Sequence, residues 1–115
     1  MKASEIREIL DAAVLCGQEN LDVDVKTAFA SDMMSDVLAF AKENTVLITG
    51  LVNPQTVRTA MMLDIKCIVF VRGKKLDDAT VTLAQENGLV VLTTDCKMYT
   101  VCGKLYAKGL YAQED

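Results

Sequence analysis

The stretch TVLITGLVNPQTVRTAMMLDIKCIVFVRG, residues 45–73, carries two apolar runs that do not alternate, Thr45–Thr49 and Cys67–Val71. A strand without alternation is buried on both faces, the condition of a parallel sheet covered by helices. Between the runs, Asn53-Pro54 is a helix start, with Asn as the cap and Pro at the first helical position. The helix that follows carries Val57, Ala60 and Met61 toward the interior. Gly50 ends the first run, and Arg72-Gly73-Lys74-Lys75 forms a loop after the second. The unit is strand, helix, strand.

The same alternation extends both ways along the chain. Toward the carboxyl end, a helix is expected from about Asp77 to Asn87, stopped by Gly88. A last strand spans Leu89–Leu92, and a helix capped by Asp95 follows with the stripe Met98, Val101, Cys102 and Leu105, ending near Gly109. Toward the amino end, Val23, Val25, Thr27 and Phe29 alternate with polar or small residues as a half-covered strand does. Ser31-Asp32 then opens a helix bearing Met34, Val37, Leu38 and Ala41. Ser4 caps a first helix with Ile6, Ile9, Leu10 and Ala13 inward, closed by Gly17. The order, a helix and then strand–helix four times, predicts an α/β fold: a three-layer α/β/α sandwich around a mostly parallel four-stranded sheet.

Composition narrows the function. At 115 residues there is room for one domain, taken as residues 1–115, and the 51% hydrophobic content with 24% charged residues is that of a globular chain. A net charge of −4 with dispersed basic residues argues against nucleic acid, as do the few aromatics. No segment reaches the roughly 18 apolar residues of a membrane span. Met1-Lys2-Ala3-Ser4-Glu5 turns acidic at once, unlike a secretory leader, so a cytoplasmic location is expected. The four cysteines, Cys16, Cys67, Cys96 and Cys102, form no zinc-like spacing, and histidine is absent. No metal site and no cofactor are expected. Neither GxxxxGK[ST] nor GxGxxG occurs, and Val71-Arg72 stands where a receiver domain needs its phosphorylated Asp.

In a parallel sheet, ligands bind at the carboxyl ends of the strands. The residues expected there are Ser31, Asp32, Thr49, Gly50, Asn53, Arg72, Gly73, Thr94 and Asp95. Helix starts at the same edge offer free N–H groups, and Arg72 adds a forked positive donor, a combination suited to phosphate or carboxylate. Helix capping alone also explains Ser31, Asn53 and Asp95. Asp32 and Asp36, four apart on one helical face, read as a solvated pair rather than as Mg²⁺ ligands, since no third acidic residue is near. Cys96 and Cys102 read as an unreactive thiol and a core residue.

The segment VVLTTDCKMYTVCGKLYAKGL, residues 90–110, resembles the closing part of DRTGG domains, where a strand ending in Ser/Thr-Thr leads into an aromatic-bearing helix finishing Gly-x-Leu-Tyr. Residues 48–76 resemble the middle of that domain. Asn53-Pro54 stands near the family's Asp-Arg and Val71-Arg72-Gly73 near its Thr-Gly-Gly, with Gly73 the matching residue. The resemblance implies a three-layer fold similar to the N-terminal region of HPr kinase/phosphorylase, and a regulatory or assembly part of the kind that accompanies phosphotransacetylases and CBS-containing pyrophosphatases. A non-catalytic regulatory module is therefore expected, binding a small anionic metabolite, a nucleotide or a protein partner. The alternatives are a structural homodimerisation domain and a thiol redox accessory protein. A homodimer is expected.

Overall fold

The computed structural model describes residues 1–112. In chain order they form α1 (Ala3–Leu10), β1 (Ala13–Cys16), β2 (Thr27–Ala30), α2 (Met34–Phe40), β3 (Thr45–Thr49), α3 (Pro54–Met62), β4 (Cys67–Phe70), α4 (Asp78–Glu86), β5 (Val90–Thr93) and α5 (Met98–Ala107). The two runs that do not alternate are β3 and β4, and every residue of both is buried. They pair in parallel, with Val46 opposite Cys67 and Thr49 opposite Phe70.

The sheet has five strands in the order β1-β5-β4-β3-β2, not four. β2 to β5 are parallel neighbours, whereas β1 pairs antiparallel with β5. The added strand comes from a stretch expected to continue the first helix as far as Gly17. That helix stops at Asp11, which takes the left-handed conformation (φ 49°, ψ 45°) and turns its N–H back to the carbonyls of Arg7 and Glu8. Asp tolerates this conformation better than most residues with a β-carbon. Ala13–Cys16 then emerges in a new direction. The helix also begins one residue before Ser4, with Lys2 at the cap position. The strand expected from Val23 is shorter and starts at Thr27.

The crossovers from β2 through β5 all step the same way across the sheet, so right-handed connections place α2, α3 and α4 on one face. Met34, Val37, Val57, Ala60 and Ala84 from those helices pack there against Leu47, Ile68, Phe70 and Val91. On the other face, Ile6 and Leu10 of α1 and Val101 and Leu105 of α5 pack against Val46, Ile48, Cys67, Val69, Val90 and Leu92. Alternate residues of each central strand thus feed two separate cores, and the three-layer sandwich follows. Met61, expected inward, lies at the surface of α3 with Met62. Among the described residues, no helix is long and apolar enough to cross a membrane.

Candidate ligand site at the carboxyl edge

Four parallel strands deliver their carboxyl ends to one edge, and Asp32 is the hub there. Its Oδ1 accepts from the Gly50 N–H at 2.6 Å and from the Thr49 hydroxyl at 3.1 Å, while Oδ2 accepts from an Arg72 guanidinium nitrogen at 3.3 Å. The Thr49 hydroxyl in turn accepts from the Leu51 N–H. Arg72 lies across Gly50 so closely that a β-carbon there would stand 2.0 Å from the guanidinium. Gly50 is therefore the floor on which the arginine rests.

Arg72 and Gly73 both adopt positive φ, 66° and 62°. This tight turn sends their N–H groups to the carbonyls of Cys96 and Thr94, at 2.8 and 2.9 Å. A β-carbon on Gly73 would meet the Asp95 carboxylate at 2.8 Å. The Thr94 hydroxyl accepts from the Cys96 N–H. The candidate residues thus form two groups joined by the Arg72–Gly73 peptide: Asp32, Thr49, Gly50 and Arg72 on one side, Gly73, Thr94 and Asp95 on the other. Ser31 adjoins the first group, its hydroxyl accepting from the Met33 N–H. Asn53 is bonded to neither, and its Oδ1 caps α3 through the Gln55 N–H at 2.9 Å.

Three expectations are corrected. Met33 and Lys97, neither with a side-chain capping bond, occupy the cap positions of α2 and α5 that Ser31-Asp32 and Asp95 were expected to fill. Asp32 precedes α2, so it does not share a helical face with Asp36, and its oxygens serve Gly50, Thr49 and Arg72. Arg72 is no unopposed charge. Its side chain and that of Asp32 are both nearly half exposed, so the pair contributes under about 1 kcal/mol and an anion can compete for the arginine.

The helices after β4 and β5 leave to opposite faces, α4 with α3 and α5 with α1. Neighbouring strands with that property open a crevice at their carboxyl ends. Here the two backbone bonds from Arg72 and Gly73 close its floor. What remains is a cleft of about 450 Å³ on the α4 side, lined by Gly73, Lys74, Lys75, Thr94, Asp95 and Asp11, among others. Lys74 and Lys75 make no hydrogen bond or ion pair with the described residues. Their place beside Arg72 made them the densest basic cluster in the sequence, but nothing in the spacing tied them to a cavity wall that β1 supplies. A larger hollow of about 950 Å³ lies at the opposite edge, with Lys26, Glu43, Asp64 and Tyr111 on its walls. Helix carboxyl ends converge there, and their partial negative charge makes it the poorer home for an anion.

The four cysteines are unpaired. Burial pushes the Cys67 thiol up to about 12 and raises those of Cys16 and Cys102. Cys96 accepts a long contact from the Lys104 ammonium at 3.7 Å, a neighbour eight residues on. Among the described residues, no three acidic, cysteine or histidine side chains gather as a metal site would need.

The DRTGG-domain profile matches residues 5–107. The comparison with curated proteins gives no match. Among solved structures, the chain is similar to the CBS and DRTGG domains of the regulatory region of Clostridium perfringens pyrophosphatase, complexed with its activator diadenosine tetraphosphate. The superposition has a TM-score of 0.76 at 18% identity and covers 90% of this chain but 45% of that one, so this chain spans less than half of that structure.

Proposed function

The chain belongs to the DRTGG-domain family, and on that premise we propose that it is a non-catalytic regulatory module of the cytoplasm that binds a small anionic ligand at the carboxyl edge of its sheet. The ligand class is a nucleotide or another phosphorylated metabolite. The observation that carries the reading is the cleft beside the β4–α4 turn, where two lysines without partners stand next to the positive-φ turn at Arg72-Gly73. Lys74 and Lys75 supply mobile positive donors, and Arg72 can be drawn from Asp32 by a second anionic group. Ser31, Thr49, Gly50, Thr94 and Asp95 shape the surrounding edge. Asp11 and Asp95 on the same cleft repel an anion, and the Asp95 carboxylate lies against Gly73, so the phosphate is to be held by the lysine side chains.

Thermal shift with ATP, AMP, diadenosine tetraphosphate and inorganic pyrophosphate tests this, since a ligand that binds only the native state raises the melting point. The Lys74→Ala/Lys75→Ala double variant should weaken the best of these compounds about tenfold or more, because each charge-assisted bond contributes about 1.5–3 kcal/mol. Arg72→Ala should weaken it less, as Arg72 is shared with Asp32. The reading fails if no compound stabilises the protein, or if the lysine variant binds as the parent does.

A second reading, self-assembly, draws on a separate observation. Met33, Phe40 and Met62 are each exposed by 60% or more, apolar surface that a homodimer would cover.

A further inference from the structure

The sheet's two edges are not alike. β1 is interrupted by a register shift between Val14 and Cys16 and runs into the positive-φ Gly17, irregularities that discourage another strand from pairing. β2 has no such protection. It pairs with β3 without a shift, and its sequence, Thr-Ala-Phe-Ala, contains no charge or proline. The N–H groups of Thr27 and Ser31 donate inward to the carbonyls of Asn44 and Ile48. The alternation of a strand therefore turns the N–H and C=O groups of Ala28 and Ala30 outward, to an edge that no strand among the described residues covers.

We propose that this edge pairs antiparallel with β2 of a second copy of the chain, joining two five-stranded sheets into one across a two-fold axis. An edge that meets its own copy must be self-complementary, and this one is. Pairing Ala28 with Ala30 of the partner subunit uses all the outward backbone groups of the strand in both directions. The same register sets Phe29 against the partner's Phe29 on the axis, an aromatic cross-strand contact at a non-hydrogen-bonded position, where side chains come closest. Lys26 and Asp32 flank the strand outside this register, and the Asp32 carboxylate stays with Gly50, Thr49 and Arg72. Phe40 lies beside Phe29 on the same shallow groove and extends the apolar strip from strand to helix. Moving the register by two residues in either direction takes Phe29 off the axis, so the aromatic contact selects one alignment. This rests on the self-assembly reading and is independent of any ligand.

Sedimentation velocity at tens of micromolar, with Phe29→Cys and Ala28→Pro variants of the full chain, tests it. The parent should sediment as a dimer. Ala28→Pro removes an outward N–H that has no partner among the described residues, so it should give a monomer with an unchanged circular dichroism spectrum. Across a non-hydrogen-bonded antiparallel pair the Cα atoms lie about 4.5 Å apart, within reach of a disulfide. Phe29→Cys should therefore form a covalent dimer on mild oxidation with diamide, while the parent, carrying only the native cysteines, should not. A monomeric parent overturns both the pairing and the self-assembly reading. A dimer that survives Ala28→Pro and fails to cross-link at position 29 overturns the pairing alone and moves the interface to the Met62 surface. If Ala28→Pro does not fold, the cross-link decides.

Discussion

Two glycines with similar crowding differ in what crowds them. At Gly17 the backbone takes φ 82° and a β-carbon would stand 2.4 Å from the Leu89 carbonyl oxygen and 2.6 Å from the Val90 Cα, atoms that cannot move without moving β5. Gly17→Ala should cost about 2 kcal/mol or more, from the left-handed conformation and the backbone clash together. At Gly50 the obstacle is the tip of the Arg72 side chain, and φ is not positive. Gly50→Ala should swing the guanidinium away from Asp32 and change stability by under about 0.5 kcal/mol. Urea denaturation of the two variants measures the contrast, and equal losses would mean that Arg72 is held far more tightly than a half-exposed pair should be. The buried thiol at Cys67 gives a second test at this scale. Its raised pKa means the neutral form is the folded form. The resulting stability is present below the unfolded thiol's pKa of about 8.5 and is lost as pH rises toward about 12. Iodoacetamide at pH 9 should spare Cys67 in the native protein and modify it in urea. Mass spectrometry finding equal labelling in both would contradict the burial.

Among the elements, what was legible depended on whether a boundary left a chemical mark. Asn53-Pro54 marked the start of α3, where Asn53 makes the expected capping bond, and α4 was expected from about Asp77, whose side chain is found to accept from the Thr80 N–H. Asn53→Ala should therefore destabilise the protein by about 1 kcal/mol while leaving affinity for an edge ligand unchanged. A calorimetric titration showing weaker binding would place Asn53 in the site after all. β1 was hidden because nothing in the residues around Asp11 resembles a stop. Ile6, Ile9, Leu10 and Ala13 keep helical spacing across the break, and the first glycine arrives only at position 17. A left-handed aspartate ends the helix instead, and only the presence of β5 across the way makes Ala13–Cys16 a strand. α5 starts later than Asp95 because Thr94 and Asp95 belong to the turn that receives the Arg72 and Gly73 N–H groups, bonds between residues more than 20 apart. Local sequence cannot display such partners.

Across the whole molecule, the parallel sheet and the gathering of Asp32, Thr49, Gly50 and Arg72 at one edge followed from the strand–helix alternation, because the position of a residue after a strand determines which edge it reaches. Which residues would still be free of one another did not follow. Asp32 and Arg72 satisfy each other across 40 positions of chain, whereas Lys74 and Lys75 face open space because an antiparallel strand from the other end of the sequence builds the opposite wall of their cleft. The lysine and Arg72 titrations of the proposed ligand, and the sedimentation of the β2 variants, therefore test properties of the assembled sheet that no single segment specifies.

The Val25 N–H donates to the Met1 carbonyl at 2.7 Å, and the Thr27 hydroxyl donates to the Tyr111 carbonyl at 2.9 Å. The first and last described stretches of backbone are thus tethered to residues only two apart in sequence, on the same corner of the sheet. A polypeptide that enters and leaves at one corner can be spliced into a surface loop of a host protein without prising that loop open, and it reports to the host through a single point of attachment. Any change in the sheet that shifts Val25 against Thr27 would reach both strands of such a tether together.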